Sequence, residues 1–185
     1  MRLLVLSIFV VFLYSFVAIA EDKEIDAVSS YEENGDPKLA KELIKKLEGV
    51  YKKRFNNGTI DGDKFVSENV LEFVRVSDSA AYIKTKLEFY NGHQCFIFGV
   101  AEYKKIGGFV LKTPASYECK LTISVKGDKL VLSDPNGICR EHSCGARGGY
   151  NGEFTLSSKR KIRYMPKILK SNDYNTALQE YKKSH

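Results

Sequence analysis

The chain has 185 residues, 43% of them hydrophobic, with 29 Lys and Arg against 23 Asp and Glu for a formal net charge of +6. That length suits one domain with a sizeable core, and no internal repeat or low-complexity tract divides it. The charge excess is modest and comes with no recognisable binding motif, which argues against a nucleic-acid partner.

Met1 and Arg2 precede an uncharged block, LLVLSIFVVFLYSFVAIA, which gives way at once to Glu21, Asp22 and Glu24. A positive start, an apolar stretch and the small residues Ala18 and Ala20 form a secretory signal over residues 1–20. The rival is an uncleaved anchor, because the block approaches the roughly 18 residues that cross a bilayer. The Ala-Ile-Ala ending and the polar continuation favour cleavage, with the protein then periplasmic or secreted and no further transmembrane span. Residues 21–36 are polar and end in Glu-Asn-Gly-Asp, which predicts a mobile leader. The remainder, 37–185, is expected to be a single disulfide-stapled β domain.

Asp36-Pro37 can cap and open a short helix with Leu39, Leu43, Ile44 and Leu47 on one face, ending near Gly49. The period then shortens to two. GVYKKRF, NVLEFVRV, AAYIKTKLEFY, QCFIFGVAEY, GGFVLKT, ECKLTISV and KLVLSD are rich in Val, Ile, Phe, Tyr and Thr, and are divided by turns such as Asn57-Gly58, Asn91-Gly92 and Lys126-Gly127-Asp128. Gaps of hairpin length make neighbours antiparallel. The fold class is therefore mainly β: an up-and-down meander of about seven strands that closes into a small barrel or strongly bent sheet to protect its edges. In YIKTKLEFY, the alternation predicts one face of Ile83, Thr85, Leu87 and Phe89, and a wet face of Tyr82, Lys84, Lys86 and Glu88. CFIFGVAEY is apolar on both faces, which suits the centre of the sheet, with Gly99 marking a bulge or tight bend. After Asp134-Pro135-Asn136-Gly137 the strand pattern stops. An extended segment over Ile162–Tyr164, a break at Pro166 and a short helix capped by Ser171 or Asn172 follow, with Tyr174, Ala177, Leu178 and Tyr181 toward the sheet.

The stretch NGICREHSCGARGGYNG, 136–152, concentrates the chemistry. An even count of four cysteines in an exported chain reads as two disulfides among Cys95, Cys119, Cys139 and Cys144. A turn can close the short span from 139 to 144, and Cys95 and Cys119 lie on neighbouring or nearly neighbouring strands, so spacing predicts the pairs 95–119 and 139–144. Chain entropy then contributes about 3.5 kcal/mol from the strand bridge and about 2 from the short loop. A loop so closed turns Arg140, Glu141, His142 and Ser143 outward. It either caps the barrel end, with His142 an ordinary surface residue, or presents His142 and its neighbours to a partner at reduced entropic cost.

Catalytic and metal readings find little support. Cys139, His142 and Cys144 have a long gap for zinc, and only His93 is at hand as a fourth ligand. A paired cysteine supplies no thiolate. No Gly-x-Ser-x-Gly elbow accompanies the histidines, and nothing marks a carboxylate pair. A protein without catalytic activity, metal or cofactor is expected.

CREHSCG resembles the Cys-Lys-Pro-His-Asp-Cys-Gly loop of the bacterial periplasmic inhibitor of vertebrate lysozyme. The matches are Cys139, His142, Cys144 and Gly145, with Arg140 in place of a lysine; Glu141 and Ser143 depart from the family's proline and aspartate. The likeness covers seven residues. It implies that His142 enters a hydrolase cleft whose two carboxylates lie about 5 Å apart. Arg147 would add a bidentate contact and Tyr150 apolar area at the rim, giving a binding set of Arg140, His142, Ser143, Arg147 and Tyr150. More broadly, NGHQCFIFGVAEY, CKLTISV, CGARGGYNGEF and IRYM resemble small exported bacterial proteins of uncharacterised function, and the meander with LEGVY is faintly similar to lipocalins, without their Gly-x-Trp signature.

The expected function is thus an exported binding protein, with a lysozyme-like hydrolase as the partner that the resemblance implies. One alternative is a small barrel holding an apolar ligand. The other is an envelope-associated structural protein, because Lys159–His185 carries eight Lys and Arg against Asp173 and Glu180. That tail is either a solvated helix face or a contact for an anionic envelope polymer.

Overall fold

A computed structural model describes residues 33–112 and 119–184; the signal segment and most of the leader lie outside these. The described chain runs α1 (Pro37–Leu47), β1 (Gly49–Gly58), β2 (Lys64–Arg75), β3 (Ala80–Glu88), β4 (Gln94–Lys104), β5 (Gly108–Lys112), β6 (Lys120–Lys126), β7 (Lys129–Ser133), α2 (Ile138–Ser143), β8 (Gly152–Thr155), α3 (Met165–Leu169) and α4 (Asn172–Lys183). All eight strands are antiparallel and pair in sequence order, forming a nearly closed barrel. The meander is as expected, with one strand more. β8 is four residues long and buries only Phe154, too short for alternation to reveal it.

The barrel closes where the chain beyond β8 meets β1. The Val50 amide donates to the Arg160 carbonyl at 2.9 Å and the Arg160 amide donates back at 2.8 Å. Behind this seam, Tyr51 and Phe154 meet edge to face at 6.4 Å. The interior is filled: Phe109 packs against Phe73 at 5.1 Å and Tyr103 at 5.3 Å, with Leu71, Leu111, Leu121 and Ile123 around them. Gly99 makes no bulge, since β3 and β4 keep register through Ile83–Gly99.

α1 plugs one end of the barrel. Asp36 accepts from the Lys38 and Leu39 amides and Pro37 begins the helix, as expected. Its inner face is Ala40, Ile44 and Leu47 with Leu43 packed alongside, so of the expected stripe only Leu39, 43% exposed, turns outward. Tyr51 donates to the Leu47 carbonyl at 2.8 Å, tying β1 to the last turn, and burial holds its hydroxyl far above the usual phenol range. The end of the expected leader is attached as well: Asn34 bridges Lys104 of β4.

The expected wet face of β3 is dry at one end. Tyr82 is fully buried beneath α4, its ring 5.1 Å from Tyr174. α4 is capped by Ser171, whose hydroxyl accepts from the Tyr174 amide, and turns Tyr174, Ala177, Leu178 and Tyr181 onto the sheet. Polar contacts rim this second core: Lys84 with Asp173 at 2.7 Å, and the Tyr164 hydroxyl donating to Glu72 at 2.7 Å. Pro166 lies in the first turn of α3, where its missing N–H costs nothing, so the segment expected to break there starts a helix instead. Arg163 and Tyr164 form the turn before it.

The two buried tyrosines give opposite expectations. The Tyr82 hydroxyl is buried without a hydrogen-bond partner among the described residues, so Tyr82→Phe should leave stability unchanged or raise it by up to about 1 kcal/mol. Tyr51→Phe breaks the bond to Leu47 and should cost about 1 kcal/mol. Urea unfolding of both variants decides, and a larger loss at Tyr82 than at Tyr51 contradicts this account.

Candidate functional site: the mouth of the barrel

The end opposite α1 is built from the β1–β2 hairpin, the turn Tyr90–Gly92, and the chain from Asp134 to Asn151. Both disulfides lie here, and their pairing differs from expectation. Cys95 at the start of β4 bonds to Cys144, and Cys119 just before β6 bonds to Cys139. The 95–119 pair fails because β5 lies between β4 and β6; two strand spacings of about 4.8 Å exceed the roughly 7 Å that a disulfide spans between Cα atoms. The 139–144 pair fails because residues 138–143 are helical. Five residues along a helix advance about 7.5 Å and turn the side chains well away from each other. No disulfide ring therefore closes the 139–144 segment. It is one helical turn clamped at both ends, each to a different strand. The loops that the two bonds close are longer than a 139–144 ring, so on chain entropy each restricts the unfolded chain more than that ring would.

Local bonds shape the clamp. The buried Asp134 carboxylate accepts from the Cys139 amide at 3.3 Å and the Arg140 amide at 2.9 Å, filling the role of a helix cap. Asn151 in turn accepts from the Asp134 amide at 2.8 Å. Ser143 donates to the Cys139 carbonyl and shares a 2.9 Å bond with the Tyr150 hydroxyl. Beyond the helix, the Gly145 amide donates to the Gln94 carbonyl at 2.8 Å. Gly148 lies directly on the disulfide: a Cβ there would sit 2.5 Å from Cys95 Sγ. The glycines of this run let the backbone lie flat across the sulfurs.

The predicted binding residues separate accordingly. Arg140, His142 and Arg147 are exposed. Tyr150, expected at the rim, is 1% exposed and belongs to the core. Ser143 is half-buried and engaged within the clamp. Arg140 and His142 are two apart on a helix and so point to different sides. Arg140 instead shares a groove of about 500 Å³ with Arg147, between Pro135–Gly137 and Gly148–Asn151. The Arg140 guanidinium donates to the Ala146 carbonyl at 3.2 Å, and that of Arg147 lies over the Tyr90 ring at 5.5 Å from its centroid.

A second groove, of about 1090 Å³, adjoins the first through Phe89. Phe55, Phe65, Val66, Phe89 and Tyr90 supply its apolar wall, with Lys53, Asn69 and Glu88 among its polar residues. β2 pairs with β3 only from Val70 onward, so the hairpin carrying Phe55 and Phe65 extends beyond the barrel. The turn props it there: Tyr90 donates to the Thr59 carbonyl at 2.8 Å, and the Asn57 amide group donates to the Phe89 carbonyl at 3.0 Å. Sequence reading assigned Phe89 to the inner face and left Phe55 and Phe65 without a special role. Their signal, two aromatics flanking a turn-rich tip, is common to any β-hairpin. Asp134 was legible only as a turn residue.

Together these elements offer an aromatic wall beside two guanidinium groups, which suits adhesion to a carboxylate-bearing surface. All four cysteines are in disulfides, and among the described residues no His, Cys, Asp and Glu group has the arrangement of a metal site.

Trypsin tests the pairing directly. Cleavage after Arg140 separates Cys139 from Cys144, so unreduced digests should yield two independent cross-linked species, one containing Cys119 with Cys139 and the other Cys95 with Cys144. A species joining 139 to 144 across the cut would overturn the clamp. Asp134→Ala removes the acceptor for two helix amides and should cost about 1–3 kcal/mol, read by thermal unfolding.

No protein-family model matches this chain, and neither a curated protein nor a solved structure is similar to it.

Proposed function

We propose that the chain is an exported binding protein, without catalytic activity of its own, that grips a protein partner at the mouth of its barrel. The observation that carries this reading is the clamp: Arg140 and Arg147 line one groove at a site fastened by two disulfides, beside an aromatic wall. A surface held this rigidly loses little entropy on binding. Two disulfides fit an exported protein in an oxidising compartment, and among the described residues no helix is long and apolar enough to cross a membrane. The filled interior favours a surface grip over an apolar ligand held within the barrel.

The partner class that fits is a lysozyme-type glycoside hydrolase, whose cleft presents two carboxylates about 5 Å apart. Because no disulfide ring closes the 139–144 segment, the charge offered to such a cleft comes chiefly from the Arg140 and Arg147 guanidinium groups, which bind carboxylates in bidentate fashion. His142, on another side of the helix, serves at the edge.

A lytic assay with the purified protein tests this. Inhibition of at least one of the c-type, g-type and i-type lysozymes is expected, with Arg140→Ala/Arg147→Ala weakening it by about tenfold or more and His142→Ala by less. If all three enzymes keep full activity, the hydrolase partner is wrong. If the double arginine variant inhibits as well as the parent, the groove is not the contact.

A further inference from the structure

The geometry points to a second binding surface at the α1 end of the barrel, a cationic cluster for a linear polymer bearing sulfate or phosphate groups. Its members come from segments more than a hundred residues apart: Lys45 and Lys46 from the last turn of α1, and Lys159, Arg160, Lys161 and Arg163 from the strap between β8 and α3. The fold brings them together by named bonds. Lys159 Nζ donates to the Lys46 carbonyl, and the Val50–Arg160 bond pair holds the strap against the first residues of β1. Gly49 clears the way, since a Cβ there would stand 2.6 Å from Lys159 Cγ.

Among the described residues none of the six cations makes an ion pair. Several acids elsewhere are engaged: Glu68 lies between Lys52 and Arg54, Asp78 between Lys41 and Arg75, and Glu153 faces Lys129. Of the acids near the cluster, Glu48 accepts from the Arg75 amide, Glu72 accepts from the Tyr164 hydroxyl, and Glu42 bonds to neither lysine. Five of the six side chains are exposed, and Lys159 is half-buried. Six cations outweigh these three carboxylates, so the helix end and the strap keep a net positive potential.

Two features favour a polymer over a bilayer. Ile162, the apolar residue between Lys161 and Arg163, is 5% exposed and faces the second core, so the strap has nothing to insert among acyl chains. The cluster also joins a helix end to a strap that lies along the start of β1, so its cations are spread over two segments, as a chain of spaced anions requires. It differs from the basic tail that composition suggests, because Lys167, Lys170, Lys182 and Lys183 come after the strap, on α3, α4 and the two-residue link between them.

The test uses the purified protein with heparin and with inorganic polyphosphate, and vesicles of phosphatidylglycerol as the bilayer arm. Binding to at least one polymer is expected, weakening steeply with salt, and its preference between the two identifies the anion. Lys45→Gln/Lys46→Gln/Lys161→Gln/Arg163→Gln should lower polymer affinity by about tenfold or more at 0.1 M salt with unchanged thermal unfolding. Lys167→Gln/Lys170→Gln/Lys182→Gln/Lys183→Gln, which removes equal charge, should lower it by much less. Equal losses in the two variants, no loss in the first, absence of polymer binding, or binding to vesicles alone each overturn the proposal. Lysozyme inhibition does not enter this measurement, so the two surfaces stand or fall separately.

Discussion

An antiparallel sheet of eight strands has two edges, and this molecule hides them at a seam of two backbone hydrogen bonds between Val50 and Arg160. Unpaired edges invite association with other chains, so the chain after β7 must return to β1. Its route decides nearly everything else. It first crosses the mouth as the clamped helix α2, then lays down the short β8, then runs as a strap past β1 before ending in the helices that cover Tyr82. Both proposed surfaces are by-products of that path. One lies where the return begins, under the two disulfides, and the other where it closes.

The division of labour along the barrel follows from packing. The interior is occupied by Tyr51, Phe73, Phe109 and their aliphatic neighbours, and a barrel this small has no room for both a core and a ligand. The two surfaces proposed for recognition consequently lie at the ends. One end is sealed by the amphipathic α1, whose outward face is rich in lysine. At the other, β1 and β2 outrun their neighbours, exposing aromatic side chains on a hairpin held by Tyr90 and Asn57.

The disulfides show why spacing misleads. Cys139 and Cys144 are close in sequence, and a loop between them would favour their union. A buried carboxylate instead winds the intervening residues into a helical turn, with Asp134 accepting two of its amides, and this points the two sulfurs at different strands. The local motif survives as residues but not as a ring, and with it Tyr150 moves from the rim to the core.

Much was legible without coordinates. Alternating apolar residues and regular turns specified an antiparallel meander because the period of two is a local property of each strand. The Asp36 cap, the Ser171 cap and the sheet-facing stripe of α4 were equally local, set by side chains a few residues apart. Only the tertiary structure decided the rest. The burial of Tyr82 depends on a helix more than ninety residues away, the cysteine pairs on how many strands separate them, and the two clusters of cations on where the returning chain crosses the barrel. Each is a contact between distant segments, and no local period encodes such a contact.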